Sequence, residues 1–135
     1  MNNYELIKYR KKVIAFVIRK NLKTLKTKFF GDTNNTLQFG YIVKKKGDKI
    51  FRHKHKRVKR VIYGTSEILI VKKGETTLKI FKFGKLLKTI KLKKGDIVSL
   101  INCEHSFVFS KDTILHEIKQ GPYIQNEKII YDKSF

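Results

Sequence analysis

Tryptophan is absent from this chain, and cysteine, proline and methionine each occur once in 135 residues. A single cysteine, Cys103, forbids an internal disulfide, so the fold must rest on its core, and a reducing compartment is the simple expectation. With Pro122 as the lone proline, no proline-rich linker interrupts the chain. Long apolar runs are missing too. The longest early one, Val13-Ile14-Ala15-Phe16-Val17-Ile18, has six residues, against the ~20 that a spanning helix needs. It is also shorter than the apolar stretch of a secretory leader. It reads as a buried strand, and the expectation is a soluble, cytoplasmic protein with no membrane partner. Acidic side chains are scarce: 11 Asp+Glu face 32 Lys+Arg, a formal charge of +21.

Charge of this size ordinarily points to nucleic acid or an anionic surface. Here the cations are nearly all lysine and are spread along the whole chain, with arginine only at Arg10, Arg19, Arg52, Arg57 and Arg60. Arginine is the side chain suited to bidentate phosphate and base contacts. Its shortage ranks a nucleic-acid partner below a merely solvated cationic surface. Hydrophobic residues make up 41% of the chain, too many for a disordered polymer, and the length suits one domain.

Short β-branched or aromatic segments recur, separated by turns such as Lys46-Gly47-Asp48, Lys73-Gly74-Glu75 and Lys94-Gly95-Asp96. Strands are expected at Val13–Ile18, Leu37–Val43, Lys49–His55, Val61–Tyr63, Glu67–Val71 and Thr76–Phe81. More are expected at Leu86–Leu92, Ile97–Ile101, Ser106–Phe109, Ile114–Lys119 and Lys128–Tyr131. The segments around Lys73-Gly74-Glu75 read as a hairpin. Many short strands with frequent turns mean a sandwich or a barrel. Only Tyr4–Lys11 suggests a helix. Residues 1–35 are taken as an N-terminal extension of the same domain, and 36–135 as the main body with C-terminal strands.

Within that body, His53 and His55 would share one face of a strand, because side chains at i and i+2 point the same way. Glu67 opens another expected strand and shares its face with Leu69 and Val71. His105 stands just before a third. Three imidazoles and a carboxylate make a plausible first shell for a divalent ion, with Zn, Fe, Mn, Ni and Co all compatible. His116, between Ile114 and Ile118, reads as a partly buried residue rather than a ligand. Cys103 reads as a small buried thiol, with a nucleophilic role beside His105 as the alternative.

These positions resemble the cupin family of small metal-binding barrels. In the usual first cupin motif five residues separate a Gly from His-x-His, and six separate a Glu from a second Gly; Gly47, His53-Lys54-His55, Glu67 and Gly74 keep both spacings. Eleven residues separate His55 from Glu67, more than the motif allows. Gly95 opens the second motif, and His105 arrives one residue early. Gln38-Phe39-Gly40-Tyr41, Thr65-Ser66-Glu67 and Glu117-Ile118-Lys119-Gln120-Gly121-Pro122-Tyr123 are similar to segments of one group of single-domain cupins.

The resemblance implies an all-β, double-stranded β-helix (a jelly-roll barrel) and a metal held by His53, His55, Glu67 and His105. It also implies a homodimer and a link to carbohydrate metabolism. Arg60, Lys119, Gln120 and Tyr123 become candidate substrate contacts, although Gly121-Pro122 is also an ordinary turn. The leading expectation is a metal-dependent isomerase, epimerase or related enzyme acting on a small polar or anionic molecule, such as a sugar or sugar nucleotide. A non-catalytic ligand-binding cupin is the alternative, and a basic nucleic-acid-binding β-barrel ranks third.

Overall fold

The computed structural model describes residues 3–131 and residue 135. It is all-β, as the alternation requires. Strands β1 (Tyr4–Tyr9), β2 (Lys12–Ile18), β8 (Ile97–Leu100), β5 (Glu67–Lys73) and β10 (Ile114–Lys119) form, in that order, a five-stranded sheet. Strands β7 (Lys85–Lys93), β6 (Glu75–Lys82) and β9 (Glu104–Val108) form a three-stranded sheet, and β3 (Lys28–Phe30) pairs with β4 (Phe39–Tyr41). Every ladder described is antiparallel.

The two larger sheets share one core. Ala15, Val17, Leu69, Val71, Val98 and Leu100 from the five-stranded sheet pack with Leu78, Ile80, Ile90 and Leu92 from the three-stranded one. The period-two pattern is clean in β6, where Thr76, Leu78 and Ile80 are buried and their neighbours are not. Strand β2 breaks that pattern because both its faces are covered. Ala15 and Val17 enter the main core, while Phe16 and Ile18 pack with Phe30 in a second cluster under β3 and β4. A strand covered on both faces reads as an unbroken apolar run. Ile14 is the extra residue where the β1–β2 register shifts, and that bulge turns it into the main core beside Ala15.

Several expectations change here. No ladder among the described residues closes any sheet, so the chain is not a jelly roll, and the resemblance to cupins fails on the architecture itself. The physical reason lies in 44–65. Strands expected at Lys49–His55 and Val61–Tyr63 pair with nothing, and every residue from 44 to 65 is exposed. Residues Lys128–Tyr131 are irregular as well. Tyr4–Lys11 is no helix: Tyr4–Tyr9 is a strand, because an apolar β2 lies beside it as a pairing partner, and Arg10-Lys11 is the turn between the two. Lys73-Gly74-Glu75 is a corner and not a hairpin, since β5 and β6 belong to different sheets. Gly74 has φ +79, and a Cβ there would collide with the backbone of Asp112 and Thr113, so the corner admits only glycine.

The two sheets are joined by a buried carboxylate. Asp96 is 5% exposed. Its Oδ2 accepts from Arg19 Nη1 at 2.9 Å and from the Lys93 amide at 2.9 Å, and its Oδ1 accepts from the Lys20 amide at 3.0 Å. Its own carbonyl accepts from the Val71 amide at 3.0 Å. Asp96 thus ties the ends of β2, β5 and β7 together. Replacing it with Ala strands three donors near the core and should cost about 3 kcal/mol. Asp96→Asn keeps one acceptor oxygen and should cost less. Urea midpoints of the three chains check the order.

Candidate functional site

Glu67 opens β5 and, by alternation, points to the same side as the core residues Leu69 and Val71. His105 lies on β9 opposite Ile80, a core residue of β6. Each therefore sits at the margin of the shared core, one on each sheet, and they meet across the seam. His105 Nε2 is 3.4 Å from Glu67 Oε2, with side chains 29% and 13% exposed. The other ring nitrogen, Nδ1, is 3.4 Å from the Cys103 carbonyl oxygen. Both nitrogens face acceptors, which suits a ring carrying two protons.

The electrostatics agree. Burial works against the charge on His105, but the contact with Cys103 and the hydrogen bond and negative charge of Glu67 outweigh it and raise the ring pKa to about 10. The hydrogen bond from His105 lowers the Glu67 pKa against the opposing effect of burial, with help from the positive charges of His105, Lys119 and Lys128. Lys119 is the residue directly across the β5–β10 ladder from Glu67.

Glu67, Cys103 and His105 line a cleft of about 910 Å³. Phe81 and Phe107 supply apolar wall, and the C-terminal segment from Glu127 to Tyr131 forms the outer side. That segment is tied down by polar links. Glu127 accepts from Thr65 Oγ1 at 2.9 Å and lies 3.8 Å from Lys119 Nζ, and Tyr131 donates to Glu104 at 3.4 Å. The sequence reads Lys128–Tyr131 as a strand, and nothing in that pattern marks it as an irregular tail walling a cleft.

The other candidate residues are placed elsewhere. His53 and His55 stand in the exposed segment, their rings 5.5 Å apart, and His53 Nδ1 bonds the nearby backbone oxygen of Phe51. They do not meet Glu67 and His105. No group of three His, Cys, Asp or Glu able to hold a metal forms among the described residues. The expected divalent ion and the metal-binding role are overturned, since a carboxylate and one imidazole do not make the four-residue shell. The sugar-directed isomerase or epimerase, and the ligand-binding cupin beside it, lose their basis with the metal and the barrel. Arg60 is exposed in the same segment as His53. Tyr123 is 82% exposed.

Gln120 is structural. Its Oε1 accepts from Thr36 Oγ1 at 2.8 Å and from the Ser66 amide at 3.4 Å, and its amide donates to Thr36 O at 3.3 Å. His116 is exposed. Cys103 is only partly buried, against the main core, and faces the cleft.

The fold and site together define an all-β protein of open sheets with a charged Glu–His pair at the seam. No protein-family model, curated protein or solved structure matches the chain. No helix among the described residues is long and apolar enough to cross a membrane.

The pair should make stability pH-dependent with a definite sign. The His105 pKa is raised from 6.5 to about 10 in the fold. Its contribution is therefore full below pH 6.5 and is lost as the pH rises toward 10. The Glu67 pKa is lowered from 4.5, so its contribution is present above that value and lost as the pH falls below it. His105→Gln should cost about 2 kcal/mol at pH 5.5, the size of a charge-assisted hydrogen bond. Thermal melts of both chains should converge above pH 10, since all other titrating groups are common to the two.

Proposed function

We propose that the protein is a thiol-dependent acyl-transfer enzyme with Cys103 as nucleophile, His105 as proton carrier and Glu67 as the group that orients and charges the ring. The carrying observation is that these three side chains, from the two sheets and the turn before β9, converge on one cleft. A thiol beside an imidazolium that is itself held by a carboxylate has the arrangement of nucleophile, base and orienting group that covalent catalysis requires.

The steps follow from the charges. A thiolate at Cys103 attacks the acyl carbon and forms a thioester. His105, protonated at rest, gives its proton to the departing oxygen or nitrogen. Having given up that proton, the neutral ring is a base. The ring can then take a proton from an incoming water, which cleaves the thioester and releases the acid. Phe81 and Phe107 would receive an apolar acyl portion. Lys128, at the rim, and Lys119, across from Glu67, would favour substrates with an anionic end.

p-Nitrophenyl esters of increasing acyl length test this reading. A burst of one p-nitrophenol per chain is expected, with the acyl group found on Cys103 by mass spectrometry. Cys103→Ser should show no adduct. His105→Gln should slow the burst by about 10²–10⁴-fold, the usual share of general acid–base catalysis. Absence of a Cys103 adduct, together with iodoacetamide alkylation no faster than that of free cysteine, removes the proposal.

A further inference from the structure

The segment that fails to form strands includes the densest run of cations in the chain, six in the nine residues from Arg52 to Arg60. Residues 44–65 hold seven Lys and three Arg against the single Asp48. Three of the five arginines of the whole protein, Arg52, Arg57 and Arg60, stand within nine residues of one another. Asp48 is occupied by its own turn, accepting from the Lys45 amide at 2.8 Å. None of the ion pairs among the described residues includes a cation of this segment. Among the described residues the cations are therefore uncompensated, and they are crowded and exposed.

Aromatic side chains are interleaved with them. Phe51 is 83% exposed and Tyr63 92% exposed, with His53 and His55 between. Large exposed apolar groups on a soluble surface call for a partner that covers them. A cationic, extended chain with exposed flat rings matches a strand of phosphates with unstacked bases, because phosphates meet the cations and bases stack on the rings. Duplex grooves are read by helices or β-ribbons, and this segment is neither. A second copy of the chain brings the same +21 charge and the same arm, so like charges oppose that pairing. A membrane would need one continuous apolar face, and here six cations separate Phe51 from Val61.

We propose that residues 44–65 form an arm that binds single-stranded nucleic acid, with Arg52, Arg57 and Arg60 on the phosphates and Phe51 and Tyr63 as stacking platforms. Arg52, Arg57, Arg60, Phe51 and Tyr63 do not line the Cys103 cleft, so the proposal stands or falls without it.

Fluorescence anisotropy with a labelled 20-nucleotide oligothymidylate, between 50 and 200 mM KCl, provides the test. Two variants of equal charge separate the arm from the overall field: Arg52→Gln/Arg57→Gln/Arg60→Gln, and Lys85→Gln/Lys93→Gln/Lys94→Gln on exposed positions of β7 and the turn after it. The arm variant should bind at least 10-fold more weakly at 50 mM and flatten the log–log salt slope by about 2, which is the loss of three phosphate contacts to a single strand. The β7 variant should keep most of both. Phe51→Ala/Tyr63→Ala should weaken binding by roughly 5-fold or more at unchanged slope, as loss of stacking requires. Equal losses in the two charge variants would overturn the proposal in favour of diffuse attraction. So would arm-dependent binding to phosphatidylserine vesicles without binding to the oligonucleotide, or a concentration-dependent dimer lost in the arm variant.

Discussion

One buried carboxylate holds the architecture in register. Asp96 receives the Arg19 guanidinium and two backbone amides, and it does so at the point where the strand ends of both sheets come together. An open pair of sheets lacks the continuous ladder that would fix one against the other. Apolar packing is non-directional, and sheets in contact only through aliphatic side chains would have latitude to slide. The hydrogen bonds of Asp96 remove that latitude at one end of the core. The seam site depends on this, since Glu67 and His105 approach each other only when the sheets keep their spacing.

The interior of the fold was legible because its strands are covered in ways that leave a mark. Thr76, Leu78 and Ile80 alternate with solvated neighbours, and β2 shows the continuous run of a strand buried on both faces. Gly74 and Gly95 both mark sharp turns, as a positive φ requires. What failed was the step from strand-like composition to pairing. Phe51, His53 and His55 alternate as a strand would, yet a ladder needs a neighbouring edge, and local sequence does not say whether one is within reach. Tyr4–Lys11 went the other way, its ambiguous pattern settled by the β2 edge beside it. In the site, Glu67 and His105 were identified from their residue types and strand positions. The metal role expected of them fails, and Cys103, two residues from His105 and packed against the core, lines the same cleft. The cleft wall from Glu127 to Tyr131 failed in the same way, Lys128–Tyr131 having the composition of a strand and no edge to pair with.

The molecule divides its chemistry in an orderly way. Its few acidic groups are placed where they do structural or electrostatic work: Asp96 under the sheet ends, Glu67 on the imidazole, Glu127 on the tail that walls the cleft, and Glu75 between Lys91 and Lys111. The excess of lysine covers the outer faces of the strands. The arginines follow a different logic, one serving Asp96 and three gathered in the arm. An even tally of positive charge along the sequence hid this division, because lysine and arginine count alike in net charge and differ in what they recognise.

The exposed arm has one consequence for the covalent chain itself. It joins two parts of the protein that are held together elsewhere, by the β2–β8 ladder, the bonds of Asp96 to Arg19 and Lys20, and the Gln120 link to Thr36. Lysine and arginine at this density, with no ladder to protect the backbone, make it the natural point of attack for trypsin. A cut there severs the polypeptide without removing a strand, a core residue or a cleft residue. The two fragments should remain one folded body, separating only when denatured, so the connection that makes this a single chain is not the one that makes it a single structure.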